Sequence, residues 1–290
     1  MPPTIAQLLA EARPRLAGTS FGAPAREAAL LLGWLLGLSE ARILAHGERE
    51  VPEETAGRFR SLLERRLAGE PVAYLLGERE FYGRPFAVDP RVLIPRPETE
   101  HLVEEALAIP LPERPWILDV GTGSGILPIT LALEIPGART VGTDLSPGAL
   151  AVASGNARRH GVSDRARFLG ADLAHGLDLS RFDLVVSNPP YIDIGDAPSL
   201  SPEVVDFEPH LALFAPGFGE GGDSVLARLF ALLGSGLRPN GLRPGIRAIV
   251  EIGFGQIEAA RRHAEASGLH FAGARHDYAG IPRVVVLERR

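Results

Sequence analysis

Two short stretches carry residues whose types and order could do chemistry. The first is Ser187-Asn188-Pro189-Pro190-Tyr191, directly after the apolar run Asp183-Leu184-Val185-Val186. The run reads as a buried strand, short and rich in β-branched side chains. The proline pair ends it, because neither residue can donate to a sheet ladder. Beyond it Asn188 offers a side-chain carbonyl, the backbone carbonyls nearby stay unpaired, and Tyr191 offers an aromatic face. Two acceptors beside a flat platform suit a planar –NH2 group. Asn-Pro is also an ordinary turn starter. Its place at a strand end, where open α/β sheets bind ligands, favours the chemical reading, as does a second motif upstream.

That second motif is Asp119-Val120-Gly121-Thr122-Gly123-Ser124-Gly125, joining an expected strand (116–120) to an expected helix (126–133). Glycines let the backbone turn tightly and let a ligand approach it. The spacing is G-x-G-x-G, with Ile126 where the dinucleotide fingerprint places its third glycine, so it departs from the nicotinamide pattern. At the end of the next expected strand stands Asp144, well placed to accept from both hydroxyls of a ribose. A glycine loop with that acidic partner fits a nucleoside cofactor without a pyrophosphate, and S-adenosylmethionine is the obvious one.

These motifs need a scaffold. From Trp116 onward strands and helices alternate: strands at 116–120, 140–144, 166–169, 183–186, 247–252 and 284–288, helices at 126–133, 146–160, 225–233 and 255–267. Such alternation implies a mostly parallel sheet covered by helices on both faces. Upstream, residues 4–70 are helical in pattern, with Ile5, Leu8 and Leu9 on one face, an apolar segment at 24–36, and a third helix opened by Pro52-Glu53-Glu54. A helical bundle packing on itself and a partner-docking module both fit this region; Arg58, Arg60, Arg65 and Arg66 read either as partner-facing or, the commoner case, as solvated helix charges. Phe81, Tyr82, Phe86, Val88, Val92 and Ile94 read as a hairpin linker. Pro95-Arg96-Pro97-Glu98-Thr99-Glu100 reads as a helix start. The expected domains are 1–75, helical; 76–97, the linker; and 98–290, the α/β sheet. Residues 192–222 read as a long irregular loop rich in Pro, Gly and Asp.

Composition narrows the function classes. With 290 residues, 45% hydrophobic and 23% charged, the chain is an ordinary globular protein large enough for a main domain and a smaller one. No apolar run is long enough for a membrane span, and the first residues lack the basic and apolar regions of a signal peptide. Cysteine is absent, which excludes disulfides and thiolate chemistry and fits the cytoplasm. The histidines show no pairing at helical spacing, so no metal site is expected. A net charge of −6 weighs against nucleic acid as the main partner. The basic residues are all arginine, which reads as coding bias.

Taken together the motifs resemble the class I amino-methyltransferases, and the full chain resembles the HemK/PrmC branch, the glutamine methyltransferases of peptide chain release factors. Further stretches carry the likeness: Tyr74-Leu75-Leu76-Gly77, Glu80-Phe81-Tyr82-Gly83, Leu93-Ile94-Pro95-Arg96-Pro97-Glu98-Thr99-Glu100, Phe207-Glu208-Pro209, Glu251-Ile252-Gly253 and Arg283-Val284-Val285. The resemblance implies a class I S-adenosylmethionine-dependent methyltransferase fold, α/β with a seven-stranded, mostly parallel Rossmann-like sheet whose last strand is antiparallel. A small helical N-terminal domain and a β-hairpin linker would precede it. Gly121, Thr122, Gly123, Ser124, Gly125 and Asp144 would hold the methionine and ribose parts of the cofactor, and Asp172 and Leu173 would meet the adenine. Asn188, Pro189, Pro190 and Tyr191 would grip a glutamine in the GGQ loop of class-1 release factors, with Asn188, Pro189 and Tyr191 catalytic. A monomer is the default expectation. Pro128 and the length of the 214–223 region depart from the family pattern. Two rivals stand beside this reading: methylation of an exocyclic amine on adenine or guanine in nucleic acid, which needs an extruded or single-stranded base, and a protein that senses S-adenosylmethionine without catalysis.

Overall fold

Apolar residues at helical spacing build the first part of the chain. Helices α1 (Ile5–Ala17), α2 (Pro24–Leu36), α3 (Glu40–Ala45), α4 (Glu53–Leu67) and α5 (Val72–Leu76) close around Leu8, Leu31, Leu32, Phe59 and Leu63, all fully buried. The computed structural model describes residues 1–18, 22–214, 222–234 and 247–289. Among them Met1–Glu78 with Ser201–Phe207 form one unit, and Arg79–Leu200 with Glu208–Arg290 form a second. In the first unit a capping box starts α1: the Thr4 hydroxyl accepts from Gln7 N, and the Gln7 side chain accepts from Thr4 N.

Arg66 corrects the sequence reading, for it is not a solvated helix charge. Its side chain is 2% exposed, and its guanidinium donates to Glu27 (2.8 and 3.2 Å), Glu203 (2.8 Å) and the Glu70 carbonyl (3.1 Å). Burying a guanidinium costs several kcal/mol, and two carboxylates with backbone acceptors offset it.

Strands β1 (Glu78–Phe81) and β2 (Arg84–Ala87) make a hairpin that belongs, from Arg79 onward, to the second unit. Tyr82 and Gly83 both have positive φ, 52° and 70°, the geometry of the two-residue turn whose twist matches the strands. Val88, Val92 and Ile94 lie outside it, because the chain turns at Asp89 (Val92 N to Asp89 O, 3.0 Å) and then runs as coil to a 3-10 turn (Pro97–Thr99) that leads into α6 (Glu100–Ala108). Phe81 and Phe86 of the hairpin join the buried cluster of Leu102, Ile117 and Leu127.

The sheet is built from β3 (Trp116–Val120), β4 (Arg139–Asp144), β5 (Ala166–Gly170), β6 (Leu184–Ser187), β7 (Arg247–Glu251), β8 (His270–His276) and β9 (Pro282–Glu288). Its order is β5-β4-β3-β6-β7-β9-β8, parallel throughout except for the last strand β9, antiparallel to both neighbours. This is the seven-stranded sheet expected from the resemblance. Helices α7 (Ile126–Glu134), α8 (Pro147–Arg159), α11 (Ser224–Gly234) and α12 (Ile257–Ala266) cover it. Pro128 is harmless: it sits in the first turn of α7, where backbone N–H groups have no intrahelical partner to lose.

Two further expectations fail. Strand β8 has no sequence signal, since His270-Phe271-Ala272-Gly273-Ala274-Arg275-His276 lacks β-branched residues and breaks register between Phe271 and Gly273 at the sheet edge. The 192–222 stretch is not irregular over its described part; it holds a 3-10 segment (Ile194–Ser199), α9 (Pro202–Phe207) and α10 (His210–Leu213). Most of the 214–223 departure lies outside the described residues.

Candidate active site

The order of the sheet reverses between β3 and β6, and ligands of open α/β sheets bind beyond the carboxyl ends of strands at such a point. Val120 pairs with Ser187, so Gly121 and Asn188 leave the sheet side by side. A methyl group built on Gly121 would stand 3.9 Å from the Asn188 carbonyl oxygen. The Ser187 hydroxyl, fully buried, donates to Val120 O (2.7 Å) and ties the two strand ends together.

The glycine loop curls back on β4, with Gly121 N and Thr122 N both donating to Thr143 O (2.9 and 2.8 Å). Gly121, Gly123 and Gly125 have φ of +78°, +53° and +82°, which side chains rarely allow. Asp144 fixes the loop from the other side: Oδ2 accepts from Gly123 N (2.9 Å) and Oδ1 from Ser146 N (2.8 Å). Each carboxylate oxygen keeps a further lone pair. Below the loop Asn156 is fully buried, accepting from Ala87 N (2.8 Å) and donating to Ala87 O (3.0 Å) and Ser124 O (2.8 Å). It locks the glycine loop to the end of the hairpin.

After β6, Asn188 donates its amide Nδ2 to the buried Thr99 hydroxyl (3.1 Å). Tyr191 turns to Glu251: its hydroxyl lies 3.4 Å from Oε1, and burial pushes the phenol above its usual range. Gln256 braces this turn, donating to Tyr191 O (3.0 Å) and accepting from Gly253 N (2.9 Å). Glu208 is buried and accepts from Ile94 N (3.0 Å) and the Arg96 guanidinium (2.6 Å), gathering the coil before α6 to the segment before α10.

These elements line a cleft that opens to solvent. Its walls include Gly121, Thr122, Gly123, Ser124, Asp144, Asp172, Leu173, Asn188 and Pro190, so most residues expected from the sequence meet in one space. Gly125, Pro189 and Tyr191 are not among those walls. A Cβ on Gly125 would stand 3.1 Å from Ala153 Cβ, so that glycine serves helix contact. Leu173 holds a left-handed φ of 54°, a strained conformation for a leucine. Asp172 accepts from Arg228 (2.6 Å). Sequence reasoning missed the roles of Arg96, Thr99, Asn156, Glu208 and Arg228. For Arg96 and Thr99 the stretch 94–100 was itself the signal, and Glu208 lies in a quoted motif.

Two acids are held near neutrality. Burial pushes Asp119 up to about 7; the Thr122 hydroxyl opposes the rise and the Asp144 charge adds to it. Neither Asp119 oxygen nor Thr122 Oγ1 finds a partner at full hydrogen-bond geometry. Burial likewise pushes Glu251 up to about 7, with Thr99 and Tyr191 hydroxyls holding it back, Glu98 raising it and Arg283 lowering it.

The residues present fit a cationic nucleoside cofactor. Side-chain-free backbone at Gly121 and Gly123 leaves room for it, and Asp144 has unused acceptor sites facing the cleft. Fold and cleft together define a class I S-adenosylmethionine-dependent methyltransferase.

Comparison with known proteins refines the class. The PrmC N-terminal domain family matches residues 7–77, and the methyltransferase small domain family matches residues 99–201. The chain is 42% identical over 280 residues to the release factor glutamine methyltransferase of Cereibacter sphaeroides, covering 97% of this chain and 96% of that one. It is 45% identical to the release factor glutamine methyltransferase of Bordetella pertussis, covering 91% and 94%. Among solved structures, the hMettl16 catalytic domain in complex with MAT2A 3'UTR hairpin 6 superposes with a TM-score of 0.56 at 16% identity, covering 81% of this chain and 82% of that one. A Pyrococcus furiosus methyltransferase gives 0.53 at 14% identity, covering 78% and 96%. At such identities the likeness is one of fold. The chain belongs to the release factor glutamine methyltransferase family.

Proposed function

We propose that this protein transfers a methyl group from S-adenosylmethionine to the side-chain amide nitrogen of the glutamine in the GGQ loop of class-1 peptide chain release factors. The observation that carries the proposal is the setting of Asn188. Its Nδ2 is spent on Thr99 (3.1 Å), which leaves Oδ1 as the end of the amide free to accept. It also emerges beside Gly121 on the cleft wall.

In this reading residues 121–124 and Asp144 cradle the methionine and ribose parts of the cofactor, and Asp172 and Leu173 flank its adenine. When bound, S-adenosylmethionine supplies a methyl group on a positively charged sulfur. The substrate nitrogen is the difficulty, because its lone pair is delocalised into its own carbonyl. Asn188 Oδ1 and the Pro189 carbonyl each accept one of its N–H bonds, fixing the nitrogen and raising its electron density. Pro190 shapes the wall behind the planar amide, and Tyr191, tied to Glu251 outside that wall, holds the turn that presents it. Orientation and preorganised dipoles then supply the acceleration, and the nitrogen releases one proton on methylation. No strong base is needed.

Residues 1–75 act as the docking domain for the release factor; the half-exposed Trp34 and Leu44 are apolar handles there. Residues 76–97 serve as linker and 98–290 as the methyltransferase domain. The enzyme works as a monomer in this reading, and such a substrate goes with the cytoplasm.

The test offers labelled S-adenosylmethionine and the enzyme an intact release factor, RNA and DNA in parallel. Label on the release factor is expected. Label on nucleic acid alone would make the substrate an exocyclic base amine, and cofactor binding without transfer to any acceptor would leave a sensor.

A further inference from the structure

Asn188 can present either end of its amide to the cleft, because the oxygen and nitrogen ends have nearly the same shape. Only the oxygen end accepts from a substrate –NH2; the nitrogen end would set donor against donor. Something must therefore select the rotamer. A simple asparagine turn has no such requirement.

The selection is written in a buried polar chain. Asn188 Nδ2 meets Thr99 Oγ1 at 3.1 Å, and Thr99 is 1% exposed. The Thr99 hydroxyl also faces Glu251, itself 2% exposed, whose Oε2 has no partner at full hydrogen-bond geometry. The second oxygen of the same carboxyl takes the Tyr191 hydroxyl at 3.4 Å. Glu251 ends β7 and Thr99 precedes α6, so both are set by regular structure rather than by a loop.

A hydroxyl has one proton to give and lone pairs to receive. Above about pH 7 Glu251 is ionised and can only accept, so it claims the Thr99 proton. Thr99 then has only lone pairs left for Asn188, which must turn its NH2 group inward and its oxygen toward the cleft. We infer that Glu251, acting through the Thr99 hydroxyl, is the positioning pair that sets the acceptor polarity of Asn188 and so makes the site selective for a planar primary amide. This rests on the methyl-transfer reading for its chemistry, while the rotamer selection itself is a property of the free protein.

Two readouts separate the claims. The first is the Asn188 side-chain NH2 signal in nitrogen-15 spectra of the free enzyme. In the wild type it should be distinct and protected from exchange; Thr99→Val, close in shape but without the hydroxyl, should shift it and abolish the protection. Thr99→Ser should restore it. Glu251→Gln can donate to Thr99, which reverses the chain and should also displace the signal. The second readout is methyl transfer to a release factor. Thr99→Val should lower kcat about tenfold, the worth of one lost buried hydrogen bond, with KM for S-adenosylmethionine unchanged, and Thr99→Ser should recover most of the loss. An unchanged Asn188 signal in folded Thr99→Val and Glu251→Gln proteins overturns the inference. If wild-type enzyme transfers nothing to release factors, the proposed function fails, and the amide signal still decides the rotamer question.

Discussion

Replacing Asp144 by asparagine separates the two jobs assigned to that carboxylate. In the free protein its oxygens accept from Gly123 N (2.9 Å) and Ser146 N (2.8 Å). Asparagine keeps one acceptor, so its NH2 end must face one of those backbone N–H groups. An unpaired donor costs about 1–3 kcal/mol, and the middle of that range lowers Tm by roughly 4–8 °C for a unit of this size. The remaining lone pairs are assigned to the ribose hydroxyls. Exchanging two charge-assisted hydrogen bonds for neutral or absent ones costs about 3 kcal/mol, roughly a hundredfold in affinity. Calorimetric titration with S-adenosylhomocysteine reads the second effect, and thermal unfolding without ligand reads the first. A variant with lowered Tm but an affinity within about threefold of wild type would refute the ribose assignment and leave Asp144 as a loop brace.

Other expectations follow from the buried polar groups. Asp119 and Glu251 have folded pKa values of about 7, against ordinary values of 3.8 and 4.5. The folded state therefore holds more protons than the unfolded one between those limits, and their contribution to stability falls as pH rises through about 7. Glu251→Gln should gain on wild type by up to about 3 kcal/mol between about pH 5 and about pH 8, read from urea unfolding at each pH; a constant difference would mean that Glu251 titrates normally. Asn156→Ala strands Ala87 N and Ser124 O in the interior; it should cost about 2–3 kcal/mol of stability and weaken cofactor binding, and a variant with unchanged binding would detach the hairpin end from the glycine loop. Arg66→Ala leaves Glu27 and Glu203 without their shared cation and should destabilise the helical unit by about 3–5 kcal/mol, checked by denaturant unfolding, whereas a loss under about 1 kcal/mol would mean that water reaches the pair.

The parts of the site legible in the sequence are those made by consecutive residues. Gly121 to Gly125 and Asn188 to Tyr191 each state their chemistry within one turn of chain, and Asp144 follows at a strand end. Asn156 carries no such local signal, and for Thr99 and Glu208 the motifs that hold them do not state their roles, because the partners of the three are 69, 89 and 114 residues away. Strands buried on both faces, such as β6, read clearly as apolar runs. The edge strand β8 does not, since half-exposed Ala and Gly lack period and propensity alike. Arg66 was misread for a related reason: a charged residue on a helix is assigned to solvent unless its partners are known, and Glu203 lies far along the chain.

The most direct test of the central claim is mass spectrometry of the GGQ-loop peptide from a release factor incubated with the enzyme and S-adenosylmethionine. Wild-type enzyme should leave one methyl group on the glutamine amide nitrogen. It should leave none when that glutamine is replaced by alanine, and Asn188→Ala enzyme should lose nearly all transfer while still binding S-adenosylhomocysteine. A methyl group found elsewhere on the factor, or full transfer by Asn188→Ala, would contradict the account.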